Sequence, residues 1–539
     1  MIFINGNIYT MDRDQPHIKA LYVEGEYIKD TGESQKLLDK YMTSDVEVID
    51  LDNKTVIPGF NDSHLHLYQF ALSNSKISLH QVKTYSDIKE LILTSITRRK
   101  LKTKSEQWIE GLGWHEKNFS EPLRIDKKLL DSITNEHPII LKRICFHLAV
   151  ANSRALQIAG INERTPDPAG GKISRSPDGK PDGLLYDSAI DLIEKKIGKN
   201  DKEEIQNLLL SAFPQVLEKG ITSIQTDDFL NINRKSSMID SYQELLKQGL
   251  LPLRVNLQLR LESREEIIEY AEKNFKTGHG SEYLKYGPVK IIYDGSLGAR
   301  TAALIEGYHD SPENRGELLL TQKELDELVI TAHRHGFQLA VHTIGDASLR
   351  NTLRSFRKML KTKPDDDARP IIIHAQIANL ELFKKMKELG VVAAIQPSFL
   401  ATDWPILHDR IGMERSRTSY AWNTMWKEGI VLSGSSDSPI EPIDPLLGIH
   451  AAVTRQDRED KPEEGWYPKE KLSVKQAVQL YTCNSAYQSF EEDIKGSLTK
   501  NKVADFIVLS ENIFTIDIKK IKDVKVEKTY LGGKLVYQR

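Results

Sequence analysis

Apolar and polar positions alternate in short runs at the start of the chain. Phe3-Ile4-Asn5-Gly6-Asn7-Ile8 and Ala20-Leu21-Tyr22-Val23-Glu24-Gly25 are examples, and such runs broken by Gly, Asn and Asp predict strands joined by tight turns. The same pattern returns at the end, in residues 504–509 and 528–537, where Gly532-Gly533 supplies the turn. Residues 1–56 and 494–539 are therefore expected to build one small β-sandwich between them. In the intervening chain the period changes. Eight apolar runs, at 56–60, 221–225, 253–257, 289–293, 338–342, 371–374, 391–395 and 430–433, alternate with amphipathic helical stretches. Helices over 203–219 and 324–335 each end just before a glycine, Gly220 and Gly336, the residue best suited to terminate a helix. Strand and helix in alternation predict parallel βα units, and eight of them predict an α/β fold of the (β/α)8, TIM-type barrel class, spanning 57–69 with 201–493.

The gap between the first and second runs is the exception. Residues 70–200 are far more than a crossover helix needs and contain apolar runs of their own, such as Pro138-Ile139-Ile140-Leu141. An insertion after a barrel strand leaves from the C-terminal rim, where active sites of this fold lie, so this large insertion after strand 1 is expected to act as a cap. A chain of 539 residues has room for a barrel with such additions.

Charge narrows the function classes. The 74 basic and 77 acidic residues leave a net charge of -3 and are spread along the whole chain, which argues against a nucleic-acid or anionic-membrane partner. No apolar run approaches the roughly 20 residues of a membrane span, and the N-terminus reads as a strand rather than a secretory signal. With only two cysteines, Cys145 and Cys483, a cytoplasmic location is the expectation, and a Cys-rich zinc module is excluded.

The candidate chemistry gathers at strand ends. His64-Leu65-His66 follows the first run, and in extended chain residues two apart point the same way, so both imidazoles can reach one ion. His342 and His374 each close an apolar strand, and Asp437 follows the eighth in Ser433-Gly434-Ser435-Ser436-Asp437. In a parallel barrel these ends share one rim. Histidine nitrogens with a carboxylate suit zinc or a similar divalent ion. Lys290 sits inside an apolar strand, where a bare ammonium is costly. Two accounts stand side by side: a salt bridge, to Asp294 or another carboxylate, or reaction of the amine with carbon dioxide to give a carbamate ligand.

These residues resemble the amidohydrolase superfamily, in its branch of YtcJ-like proteins and N-substituted formamide deformylase. The likeness is carried by Pro58-Gly59-Phe60-Asn61-Asp62-Ser63-His64-Leu65-His66, by 289–303 with its Asp294-Gly295-Ser296-Leu297-Gly298, by His342-Thr343-Ile344-Gly345-Asp346, His374-Ala375-Gln376 and Ser435-Ser436-Asp437-Ser438-Pro439. The resemblance implies one or two divalent metals, zinc above all: His64 and His66 on the first, with Asp437; His342 and His374 on the second; N6-carboxylated Lys290 as the bridge. It implies hydrolysis of a C–N bond in an amide, N-acyl, N-formyl or cyclic amide by a metal-bound hydroxide, with Asp437 as general base and then acid. An ester or phosphoester substrate, and an inactive ligand-binding barrel, are the alternatives. Arg300, His147, Gln376 and Trp114 are candidate substrate contacts, the partner is a small-molecule amide, and a homodimer is expected by resemblance.

Overall fold

The computed structural model describes residues 1–79, 81–98, 108–120, 125–143, 147–168, 170–197, 201–230, 232 and 235–539; Cys145 lies outside them. The chain divides into two compact units, Met1–Phe70 with Lys202–Arg539, and Ala71–Asp201.

In the larger unit eight strands form one parallel sheet in sequence order: β1 (Phe60–Leu65), β2 (Ile221–Thr226), β3 (Arg254–Leu259), β4 (Leu284–Ile292), β5 (Leu339–Thr343), β6 (Ile371–His374), β7 (Val392–Ile395) and β8 (Val431–Gly434). The sheet curls into a nearly closed barrel. Among the described residues no ladder joins β8 to β1. Single bonds stitch that seam instead: Ser63 Oγ donates to the Gly434 carbonyl at 2.9 Å, and the Ser436 N–H to the Asp62 carboxylate at 3.1 Å.

Seven of the eight expected barrel strands lie where the apolar runs put them. The first differs. Thr55–Pro58 pairs with Asn7–Tyr9 and Phe506–Leu509 outside the barrel, and β1 begins only at Phe60. The break falls at Gly59, where an added Cβ would sit 2.3 Å from Thr222 Oγ1. Only glycine lets the chain pass that close while it changes sheets. His64 consequently lies within β1, not after it.

The chain ends form two more sheets. One orders Tyr27–Gly32, Ala20–Glu24, Ile2–Ile4 and Val48–Asp50; the other runs Lys534–Gln538, Val526–Leu531, Phe506–Leu509, Thr55–Pro58, Asn7–Tyr9 and His17–Ile18. Phe3, Leu21 and Val23 of the first share a buried cluster with Ile8, Val56, Phe506 and Tyr530 of the second. At the N-terminal end of β3, Arg254 is 1% exposed and its guanidinium donates to both oxygens of Asp505, at 2.7 and 3.1 Å. This fork ties the barrel base to the C-terminal strands, at the opposite end from the C-terminal rim.

The smaller unit is a six-stranded mixed sheet, ordered Gly171–Arg175, Pro181–Asp187, Leu148–Ala151, Ile139–Arg143, Ile109–Trp114 and Ile77–Ser78. It has a buried apolar cluster on each face, one around Ile109, Leu141 and Val150, the other around Ile140, Ala149 and Leu185. Among the described residues no helix is long and apolar enough to cross a membrane.

Candidate metal centre

His64, His66 and Asp437 are brought together by the seam. The Asp437 N–H donates to the His64 carbonyl at 2.9 Å, and the His66 N–H to the Ser438 carbonyl at 2.8 Å. That zipper sets Asp437 Oδ1 3.3 Å from Nε2 of both His64 and His66, and the ligating atoms of the three lie within 4.8 Å of one another. The other rings close around them. The His342 and His374 centroids are 4.4 Å apart, His64 and His374 6.4 Å, His64 and His66 5.1 Å. Lys290 Nζ stands 3.2 Å from His64 Nε2. Of the six residues expected as ligands, His64, His66 and Asp437 bring their ligating atoms into one group at the C-terminal rim, and the rings of His374 and His342 and the Lys290 amine stand next to it.

Backbone strain marks the same place. His374 has φ 79° and Asp437 φ 53°, in a region non-glycine residues seldom occupy, at a cost of about 1–3 kcal/mol each. The neighbours hold them there: the Ala375 N–H bonds the Thr343 carbonyl at 3.1 Å, and the Asp437 N–H is tied to β1 as described.

Every ring has its Nδ1 engaged by a group that can only accept. His66 Nδ1 faces the Asp227 carbonyl at 2.6 Å, and His342 Nδ1 the Asp294 carboxylate at 3.1 Å. His64 Nδ1 faces Gln258 Oε1 at 2.8 Å; the Gln258 amide nitrogen is occupied by the Ser63 carbonyl, so the oxygen is the atom turned to the ring. His374 Nδ1 faces Gln396 Oε1 at 2.7 Å, and there the amide nitrogen donates to the Ala394 carbonyl and to Ser435 Oγ. Each Nδ1 thus carries the proton and each Nε2 presents a lone pair to the centre, the tautomer a metal ligand needs.

The electrostatics test whether a cation fits. Lone pairs on His64 and His66 and an oxygen of Asp437 face one another across 3.3 Å, and that oxygen is buried without a hydrogen-bond donor. Acceptors aimed at acceptors in a buried site call for positive charge between them. Burial pulls His64 down to about 4 and His374 well below its ordinary value, so these rings stay neutral. Burial also opposes a proton on His66, yet Asp437 and the field of Asp227 outweigh it and raise its pKa: the point between these groups attracts a cation. The donor set, four imidazole nitrogens and a carboxylate, is that of zinc or a similar ion.

Lys290 is 1% exposed, and burial pulls its amine down to about 8 against the attraction of Asp227 and Asp437. The salt bridge to Asp294 weighed from the sequence is not formed. Asp294 spends its oxygens on His342 Nδ1, on the N–H groups of Ala303, Ile344 and Gly345 and on Ser348 Oγ.

His66 and His342 keep side-chain exposures of 16%, against 1% for His64, so the centre opens on their side. Gln376, two residues after His374, is buried and gives its amide to Asp403. Arg300 forms a bidentate pair with Asp310 at 3.0 and 2.8 Å. In the smaller unit, Trp114 is 3% exposed in the core and its indole N–H donates to the Leu141 carbonyl, while His147 is exposed and pairs with Asp187 at 2.8 Å. Gln258, Gln396 and the Asp227 carbonyl, which fix the imidazoles, were not singled out from the sequence. A signal existed for Gln258, since Arg254, Asn256 and Gln258 alternate with Val255, Leu257 and Leu259 along β3 and so share one face of it.

Known proteins resemble this chain along its whole length. YtcJ of Bacillus subtilis (strain 168) is 34% identical over 538 residues, which cover 100% of this chain and 99% of that protein. N-substituted formamide deformylase of Arthrobacter pascens is 26% identical, covering 100% and 98%. A crystal structure of a metal-dependent hydrolase from Pyrococcus furiosus superposes with a TM-score of 0.76 at 28% identity, covering 95% of this chain and 99% of that one. The profile of the amidohydrolase family matches residues 47–537, a span that includes the whole barrel and the six side chains named above, and the chain belongs to that family, in its YtcJ-like branch.

Proposed function

We propose that this protein hydrolyses a C–N bond in an amide, N-acyl, N-formyl or cyclic amide substrate, using divalent metal held by the six-residue centre. The observation that carries the reading is the meeting of His64 Nε2, His66 Nε2 and Asp437 Oδ1 within 4.8 Å of one another on the barrel rim, with the rings of His374 and His342 beside them. Family membership and the name of the deformylase relative support the choice of bond. His64, His66 and Asp437 would hold one ion, His342 and His374 a second, with Lys290 between them as a carbamate: its amine adds to carbon dioxide through a new N–C bond and loses a proton. When bound, zinc or a similar ion polarises a carbonyl and acidifies water.

The chain's own groups then handle the protons and the geometry. Asp437 takes a proton from the attacking water and returns it to the departing nitrogen, acting as base and then acid. Gln258, Gln396, Asp294 and the Asp227 carbonyl keep the imidazoles in the required tautomer throughout. The open side at His66 and His342 is the side from which substrate arrives.

Elemental analysis of the purified protein, followed by turnover of N-acyl amino acids, N-substituted formamides and cyclic amides beside matched esters and phosphoesters, tests the reading. Zinc-dependent amide cleavage that falls sharply in Asp437→Asn is expected. Turnover confined to phosphoesters, or activity indifferent to metal removal, would overturn it.

A further inference from the structure

Asp403 lies on the helix Pro397–Ser416, one turn after Phe399, whose ring stacks on His374 with centroids 5.6 Å apart. A turn of helix advances about 5.4 Å, so the carboxylate belongs to the immediate surroundings of the metal centre. Its Oδ2 accepts two bonds of 2.6 Å, one from Gln376 Nε2 and one from the Tyr420 hydroxyl. The Tyr420 N–H in turn donates to the Gln376 carbonyl at 3.0 Å, which locks the three residues together. Both donors are neutral. Among the described residues no Lys, Arg or His pairs with Asp403, and its Oδ1 accepts no hydrogen bond. Burial accordingly pushes the carboxyl up, and the two neutral donors only partly offset it.

Asp403 is half-buried, and its unbonded Oδ1 is open rather than sealed in the interior. Holding Gln376 and Tyr420 in place does not require a charge, since the oxygen of an asparagine would accept the same two bonds at lower cost. Glu441, four residues beyond Asp437, accepts from the hydroxyl of Thr402, the neighbour of Asp403; burial pushes its carboxyl up, Thr402 and Arg458 pull it down, and Asp403 and Asp437 add to the rise. Asp403 keeps one oxygen free, with no cation paired to it among the described residues.

We propose that the substrate carries a primary ammonium beside its scissile amide, and that Asp403, oriented by Gln376 and Tyr420, binds it. The inference rests on the hydrolase reading above and names the substrate class for it. Gln376, a candidate substrate contact from the sequence, becomes a positioning residue, and Asp403 the specificity-determining one.

The test uses monoacetylated diamines of increasing length, each against the N-alkylacetamide that replaces its ammonium by methyl. With the metal-loaded wild type, the ammonium member of the best-fitting pair is expected to have kcat/KM higher by about tenfold to a hundredfold, the range of a charge-assisted hydrogen bond. In Asp403→Asn that ratio falls toward one; in Asp403→Glu a preference persists. Wild type that favours the neutral member, or an Asp403→Asn ratio equal to that of wild type, overturns the proposal. Should Asp403→Asn fail to fold, the wild-type comparison decides alone. Calorimetry with the same compounds separates the two readings: ammonium-selective binding that depends on Asp403 without cleavage removes the amide-hydrolase reading and keeps this one, whereas cleavage without ammonium preference does the reverse.

Discussion

Gln396 Oε1 sits 2.7 Å from Nδ1 of His374, and the same amide donates from its nitrogen to the Ala394 carbonyl and Ser435 Oγ. With the nitrogen committed twice, the amide cannot rotate to offer a donor to the ring. The tautomer of His374 is thus written by a residue at the end of the neighbouring strand. Gln396→Leu is expected to weaken metal binding about 10- to 100-fold, read by competition against a chromogenic chelator. Affinity equal to wild type would remove Gln396 from the metal's support.

Lys290 sits among the imidazoles with no carboxylate salt bridge among the described residues. Lys290→Ala should lower bound metal and turnover together, with partial recovery on adding short carboxylic acids that replace a carbamate. Full metal content and activity in the variant would show that the lysine is not a ligand.

Asp505 takes both arms of the buried Arg254 guanidinium. Asp505→Ala leaves that charge with only the more distant Glu26 and Glu282, at 3.6 and 3.8 Å, and should cost about 3 kcal/mol of unfolding free energy in denaturant titration. A loss below about 1 kcal/mol would mean that those two glutamates suffice.

Asp228 is fully buried and accepts from the Tyr242 hydroxyl at 2.6 Å, Thr226 Oγ1 at 2.8 Å and the Tyr68 N–H at 2.8 Å. Burial wins over these donors and raises its pKa from 3.8 to about 6. The folded state therefore holds a proton that the unfolded chain has released, and this group's contribution is fully present below the unfolded value and is lost as pH rises through the folded one. The stability of wild type relative to Asp228→Asn should fall between about pH 4 and 6, followed by thermal unfolding across that window. A difference that is flat or rises would contradict the assignment.

Much of this was legible because it depends on local pattern. Apolar runs of strand length between amphipathic helices place β2 to β8, and the rim of a parallel barrel then assembles His342, His374 and Asp437 without knowledge of distances. The error at β1 has a definite origin. Val56-Ile57-Pro58 and Phe60-Asn61-Asp62 belong to different sheets, and the sole mark between them is Gly59, whose reason lies in the proximity of Thr222, 163 positions away. The residues that orient the imidazoles were hidden for a related reason. Gln258 acts on a ring 194 residues distant, and Asp227 acts through its backbone, which no side-chain pattern records. Asp294 was visible, but its choice of His342 over Lys290 is decided by five donors that only the folded loop collects.

The stitched seam gives the metal a mechanical meaning. β1 and β8 meet through a few bonds in the very segments that carry His64, His66 and Asp437, so the barrel cannot open there without pulling the ligands apart. An ion bound across this join would act as a clasp, favouring the shut form by mass action. Stripped of metal, the barrel should breathe first at this join, with amide exchange fastest around residues 62–66 and 434–438 while the middle of the sheet stays protected.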